Sequence, residues 1–103
     1  MEPIRSVYED DPDMLEIVRE FAAELPDRVI ELERCLEGDD LAQLQTMAHQ
    51  LKGAGGGYGF TPITEHAASL EQALKEGQDA TVLKDRTLAL CEVLRAVEVP
   101  EEA

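Results

Sequence analysis

Ala48-His49-Gln50-Leu51-Lys52-Gly53-Ala54-Gly55-Gly56-Gly57-Tyr58-Gly59-Phe60 carries a helical apolar pattern into a run of glycines that helices ordinarily avoid. Upstream, Leu41, Leu44, Ala48 and Leu51 recur at spacings of three and four, the period of an amphipathic helix. On a wheel turning about 100° per residue, these residues and Gly55 form one stripe, and His49 lies about 130° from its centre. His49 is therefore expected to face solvent, with Gln45, Lys52, Gly53 and Gly56 around it at helical spacings. A helix running on to Gly57 would forfeit roughly 4 kcal/mol of propensity at its four glycines, a large share of a small domain's stability. Two readings stay open at this point. In one, Gly53 and Gly56 clear space on the His49 face while Gly55 admits a neighbouring helix. In the other, the helix ends near Gly53 and the glycines form a loop.

Working outward, the same helical period dominates the chain, with no internal repeat and no strand-like alternation. Met1 to Asp10 reads as a polar lead. Asp11-Pro12-Asp13 marks a helix start, with Met14, Ile17, Val18, Phe21 and Leu25 on one face up to about Glu24. Pro26 either begins a second helix or kinks a continuous one. Val29 and Leu32, with Ile30 and Leu36 alongside, extend the stripe to Glu37, and Gly38 stops it. Asp39 is expected to cap the helix that carries His49. Thr61-Pro62 opens the next, with Ile63, Ala67, Leu70 and Leu74 inside and an end at Gly77. Asp79 caps the last, with Leu83, Leu90, Leu94 and Val97 buried and Pro100 closing it. Short connections between such helices imply antiparallel neighbours. The expected fold is all-α, an up-and-down antiparallel four-helix bundle with an additional N-terminal helix, in one domain over residues 1–103. Met1 reads as a natural start, and residues 98–103 as an acidic tail.

With 23 acidic and 9 basic residues among 103, the formal charge is −14. That balance opposes binding to nucleic acid or to an anionic membrane surface, both of which need clustered cations. Only two Tyr, two Phe and no Trp are present, so aliphatic side chains and alanines must fill the core. Cys35 and Cys91 fall on different helices with no second ligand at metal spacing, which fits reduced thiols. No basic-plus-apolar leader and no membrane-length apolar run occurs, so a cytoplasmic location is expected.

The segment from Ala48 to Phe60 resembles the signature of histidine-containing phosphotransfer (HPt) domains. In that family an Ala-His-x-apolar-Lys-Gly-small run precedes an apolar or aromatic residue, a glycine and another apolar residue, as in Tyr58-Gly59-Phe60 here. The resemblance extends over nearly the whole chain, with the histidine midway along the second bundle helix. It implies that His49 is the phospho-acceptor, that Lys52 stabilises phosphoryl charge, and that Gly53 keeps the imidazole accessible. It implies a turn glycine at Gly59. Glu71 falls where several members carry a Gln or Glu that orients the imidazole, with Gln72 or His66 the alternatives if the register slips by a turn. Gln45, Gln50 and Gly56 would lie on the partner-docking surface. The implied function is a phosphorelay intermediate that exchanges a phosphoryl group with the aspartate of a receiver domain. Partners would be a response-regulator receiver domain, a hybrid histidine kinase, or both, with Mg²⁺ on the receiver and no cofactor or metal in this chain.

Other chemistries find no support in the residues. The Gly53-x-Gly55 pair lacks the third glycine of a dinucleotide fingerprint, and Lys52 precedes the glycines instead of following them as in a phosphate loop, so no ATP site is expected. His49 and His66 lack the Glu-x-x-His spacing of bundle metal sites. No Ser or Cys pairs with a base at a hydrolase spacing. The remaining alternative is a non-catalytic helical interaction module in which His49 is incidental.

Overall fold

The computed structural model describes residues 2–100. Four helices follow one another: α1 (Pro12–Glu37), α2 (Leu41–Gly57), α3 (Thr61–Lys75) and α4 (Ala80–Arg95). Connections of three or four residues force each helix to turn back on the last. Each helix packs on its two neighbours around a ring, α1 on α2, α2 on α3, α3 on α4 and α4 on α1. The result is an up-and-down bundle 46 × 23 × 20 Å in extent. Its long axis is set by α1, whose 26 residues span about 39 Å at 1.5 Å per residue.

Of the two readings at Pro26, a second helix or a continuous one, the structure takes the continuous helix. Proline lies inside a continuous α1, so the described residues form four helices, with no additional N-terminal helix ahead of the bundle. Packing explains why the proline is tolerated. Val18, Phe21, Leu25, Val29, Leu32 and Cys35 form one buried stripe that passes through the region, and Pro26 lies on the exposed side. A mid-helix proline costs about 3 kcal/mol, while burying a side chain such as Leu25 or Val29 contributes about 1.5–3 kcal/mol each. The stripe outweighs the propensity.

Other boundaries also move. Asp39 does not cap α2, because it adopts the left-handed conformation that ends the turn after α1 (φ 54°). Asp40 takes the capping role, accepting the Gln43 N–H at 3.2 Å. The last turn of α3 ends at Lys75, before Gly77, and α4 stops at Arg95, short of Val97. Val97 instead pairs with Ile4 in an isolated parallel β-bridge. The lead is thus more than a polar lead. Ile4 donates to Ala96 O at 2.8 Å and accepts from Glu98 N–H at 2.9 Å, and Val7 N–H donates to Gly59 O at 3.0 Å. Ser6 is buried, with its hydroxyl donating to Tyr58 O at 2.6 Å. Of the expected acidic tail, Glu98 to Pro100 follow this bridge, and residues 101–103 lie outside the described residues.

The core is aliphatic, as the composition requires, apart from an aromatic cluster where α2 turns into α3. Phe21 stacks on Tyr58 with ring centroids 4.5 Å apart and meets the fully buried Phe60 at 6.0 Å. Gly59 makes that turn with φ of +82°, and a Cβ there would lie 2.6 Å from Ser6 Oγ. Ile17, Ile30 and Leu41, expected on buried faces, are exposed, and Met47 joins Leu44, Ala48 and Leu51 in the core instead.

The helix runs through all four glycines to Gly57. Gly55 explains why: a Cβ on it would lie 2.8 Å from both the backbone N and the Oγ1 of Thr64, and 2.9 Å from Ile63 Cβ. Only glycine lets α2 and α3 approach this closely. Gly53 has open space where its Cβ would be. Gly55→Ala should therefore destabilise the domain by about 1–3 kcal/mol despite alanine's better helix propensity, as overpacking does. Gly53→Ala should stabilise it by up to about 1 kcal/mol. Urea unfolding midpoints that move in opposite directions check both statements.

Candidate functional site

His49 stands midway along α2, and its side chain is 68% exposed. The exposure follows from the wheel, since Ala48 and Leu51 on either side are buried and hold the opposite face in the core. Glu71 reaches it from α3. This carboxylate is only 6% exposed, with Oε2 lying 2.8 Å from His49 Nδ1 and Oε1 accepting from Lys52 Nζ at 2.6 Å. Of the three residues considered for this place, Glu71 meets the imidazole, and neither Gln72 nor His66 does. Lys75, one turn further along α3, brings its ammonium to 3.8 Å from Oε2.

The register that creates this cluster is set a turn away. Below Lys52, α2 and α3 are in backbone contact at Gly55, and Thr64 Oγ1 donates to the Lys52 carbonyl at 2.8 Å. Glu71 lies seven residues beyond Thr64, two turns along the same side of α3, which brings it opposite His49. A buried carboxylate needs hydrogen bonds and compensating charge; the imidazole and the Lys52 ammonium supply the hydrogen bonds, and Lys75 adds a second positive charge at 3.8 Å. The Lys52 ammonium above all, then the His49 hydrogen bond and Lys75, hold the Glu71 carboxyl below the usual glutamate range, against the opposing pull of burial.

An ionised carboxylate only accepts hydrogen bonds. Nδ1 of a neutral His49 therefore carries the ring proton, and the lone pair is on Nε2. Among the described residues none hydrogen-bonds Nε2. The site thus offers an oriented nitrogen nucleophile with an ammonium group one turn away and open surface at Gly53.

The other residues read from the sequence divide around this cluster. Gly53 and Gly56 are exposed, with the Cβ position of Gly56 in ordinary contact with Thr64 Oγ1 at 3.5 Å. Gln45 is half-buried one turn before His49. Gln50 is exposed and lines a groove of about 160 Å³ between α1 and α2, with Phe21, Met47 and Tyr58. Cys35 and Cys91 are free and buried, and burial pushes both thiols up, Cys91 to about 11, so neither is a ready nucleophile. Sequence reasoning missed Thr64 and Lys75. The Glu71-x-x-x-Lys75 spacing, a favourable helical pair, was the available signal for Lys75. Thr64 left none, because its role depends on the α2–α3 distance.

The family model for the Hpt domain matches residues 16–99. The chain belongs to the Hpt domain family. Hpt domains are helical bundles that act in phosphotransfer within two-component phosphorelays. They are phosphoryl carriers without an ATP site of their own, and they interact with kinases and receiver domains. Neither a curated protein nor a solved structure gives a significant match to this Hpt chain. Among the described residues, no helix is long and apolar enough to cross a membrane.

The depressed Glu71 carboxyl makes the Hpt bundle acid-sensitive in a defined direction. A carboxyl lowered by folding contributes stability that is fully present above its unfolded value of about 4.3 and is lost as pH falls through the lower folded value. Glu71→Gln should therefore unfold at lower urea than the parent near pH 7, with the gap narrowing as pH falls below about 4. A gap independent of pH would exclude a contribution from this ionisation.

Proposed function

We propose that His49 is the phospho-acceptor of this domain, exchanging a phosphoryl group with the aspartate of a receiver domain. The observation that carries the reading is the 2.8 Å contact between Nδ1 of an exposed imidazole and a buried carboxylate. That contact directs the free lone pair to Nε2, where a partner can reach it. In the exchange, the Nε2 lone pair attacks phosphorus while the bond from phosphorus to the aspartyl oxygen breaks, its electron pair returning to the partner's carboxylate. Holding donor and acceptor in line supplies much of the acceleration.

Lys52 supports the reading as the cation beside the acceptor, its three N–H donors able to engage both Glu71 and phosphoryl oxygens. Gly53 keeps the approach open, and Gln45, Gln50 and Gly56 belong to the surface on which the partner docks. The partner is a response-regulator receiver domain, a hybrid histidine kinase, or both, encountered in the cytoplasm. Mg²⁺ belongs to the receiver, and this chain carries no cofactor.

The test is transfer from a phosphorylated receiver domain. His49→Gln should abolish acid-labile phosphate on this chain, and incorporation unchanged by that substitution would overturn the reading in favour of an interaction module. Gly53→Leu, which projects a side chain into open space, should slow transfer by about tenfold or more while leaving helicity intact. Lys52→Ala should slow transfer or shorten the lifetime of the phosphohistidine.

A further inference from the structure

Glu71 is acceptor-only, and that property has a consequence once Nε2 is occupied. A phosphohistidine substituted at Nε2 has two forms. In one, Nδ1 is bare and carries a lone pair. In the other, Nδ1 keeps its proton and the ring is a cation. Were Nδ1 bare, its lone pair would face Glu71 Oε2 at 2.8 Å with no hydrogen between two acceptors. Glu71 has little freedom to turn aside, because it is buried and its Oε1 is held by Lys52 at 2.6 Å.

The conflict is relieved either by protonating Glu71 or by retaining the proton on Nδ1. The groups facing Glu71 are the Lys52 ammonium and the His49 imidazole from α2 and the Lys75 ammonium from its own helix; the two cations and the Nδ1–H donor all oppose protonating the carboxylate. Lys75 matters most after transfer. When Lys52 offers N–H donors to phosphoryl oxygens, the second ammonium still favours a charged Glu71.

We propose that Glu71 is a positioning residue that holds a proton on Nδ1 of phosphorylated His49, keeping the carried group as a reactive phosphoimidazolium. The proposal rests on His49 being the phospho-acceptor. Attack by Nε2 on phosphorus then gives a ring cation that keeps its Nδ1–H, opposite a carboxylate. In the onward step an acceptor carboxylate attacks phosphorus, the P–N bond breaks, and its electron pair returns to Nε2. The leaving group is neutral imidazole with its Nδ1 proton still in place, so no proton moves in either direction. An amide at position 71 would behave differently. Its oxygen accepts from Nδ1–H in the free state, and after a flip its NH₂ donates to bare Nδ1 in the phosphorylated state. Glutamine would thereby stabilise the sluggish neutral form.

The experiment is ¹⁵N NMR of the full chain phosphorylated with phosphoramidate, titrating Nδ1 of phosphohistidine in the folded protein and in the same chain unfolded in urea. The protonation midpoint should be at least about one pH unit higher in the folded parent. In Glu71→Gln that elevation should disappear. The lifetime of its phosphohistidine above both midpoints should lengthen about tenfold, the change in protonated fraction that one unit represents. A folded midpoint equal to or below the unfolded one overturns the proposal from the parent protein alone, whether or not the variant folds. Absence of phosphate on His49 would overturn the acceptor reading itself, so the two failures are distinguishable.

Discussion

The backbone contact between α2 and α3 at Gly55 is the constraint on which the rest depends. With no Cβ at that point, the Thr64 amide and hydroxyl come up against α2, and the hydroxyl bonds the Lys52 carbonyl. A wider spacing would take Glu71 out of reach of His49 and Lys52, since hydrogen bonds of 2.8 and 2.6 Å tolerate little displacement. The glycine content of α2, costly by propensity, thus has a division of labour. Gly55 is required by packing, whereas Gly53 is not needed by the fold and faces the side from which a partner would come.

Electrostatics complete what packing begins. The chain carries a formal charge of −14, a poor background for receiving a doubly charged phosphoryl group. Two of its three lysines nevertheless converge on Glu71, immediately beside the imidazole. The local field at His49 is therefore set by Lys52 and Lys75, close by and in a partly desolvated setting, while much of the acidic excess is solvated and screened. Glu71 links the two effects, being fixed in place by the helix contact and kept ionised by the lysines.

Much of this was legible in the sequence, and the exceptions have physical causes. The stripe Leu44, Ala48, Leu51 fixes the face of α2 that is buried and so the exposure of His49, because helical period alone determines it. Glu71 as its neighbour came from the family resemblance, and its carboxylate lies 2.8 Å from Nδ1. Pro26 left two readings open because local propensity favours a break there, whereas the buried stripe from Val18 to Cys35 decides the outcome. Asp39 and Asp40 are equivalent caps on paper, and only the turn's need for one left-handed residue separates them. The lead was unreadable for a different reason. Ile4 and Ser6 gain their partners, Val97 and Tyr58, from distant parts of the chain, and no local pattern encodes such pairings.

By holding the proton on Nδ1, Glu71 would leave Nε2 of His49 as the nucleophile. A ¹H–³¹P correlation spectrum of the phosphorylated protein tests it most directly, since phosphorus on Nε2 couples to both ring protons and phosphorus on Nδ1 to one. The expected spectrum shows a single phosphohistidine at His49 with couplings to both protons. A signal coupled to one ring proton, or phosphate on any other residue, would contradict it.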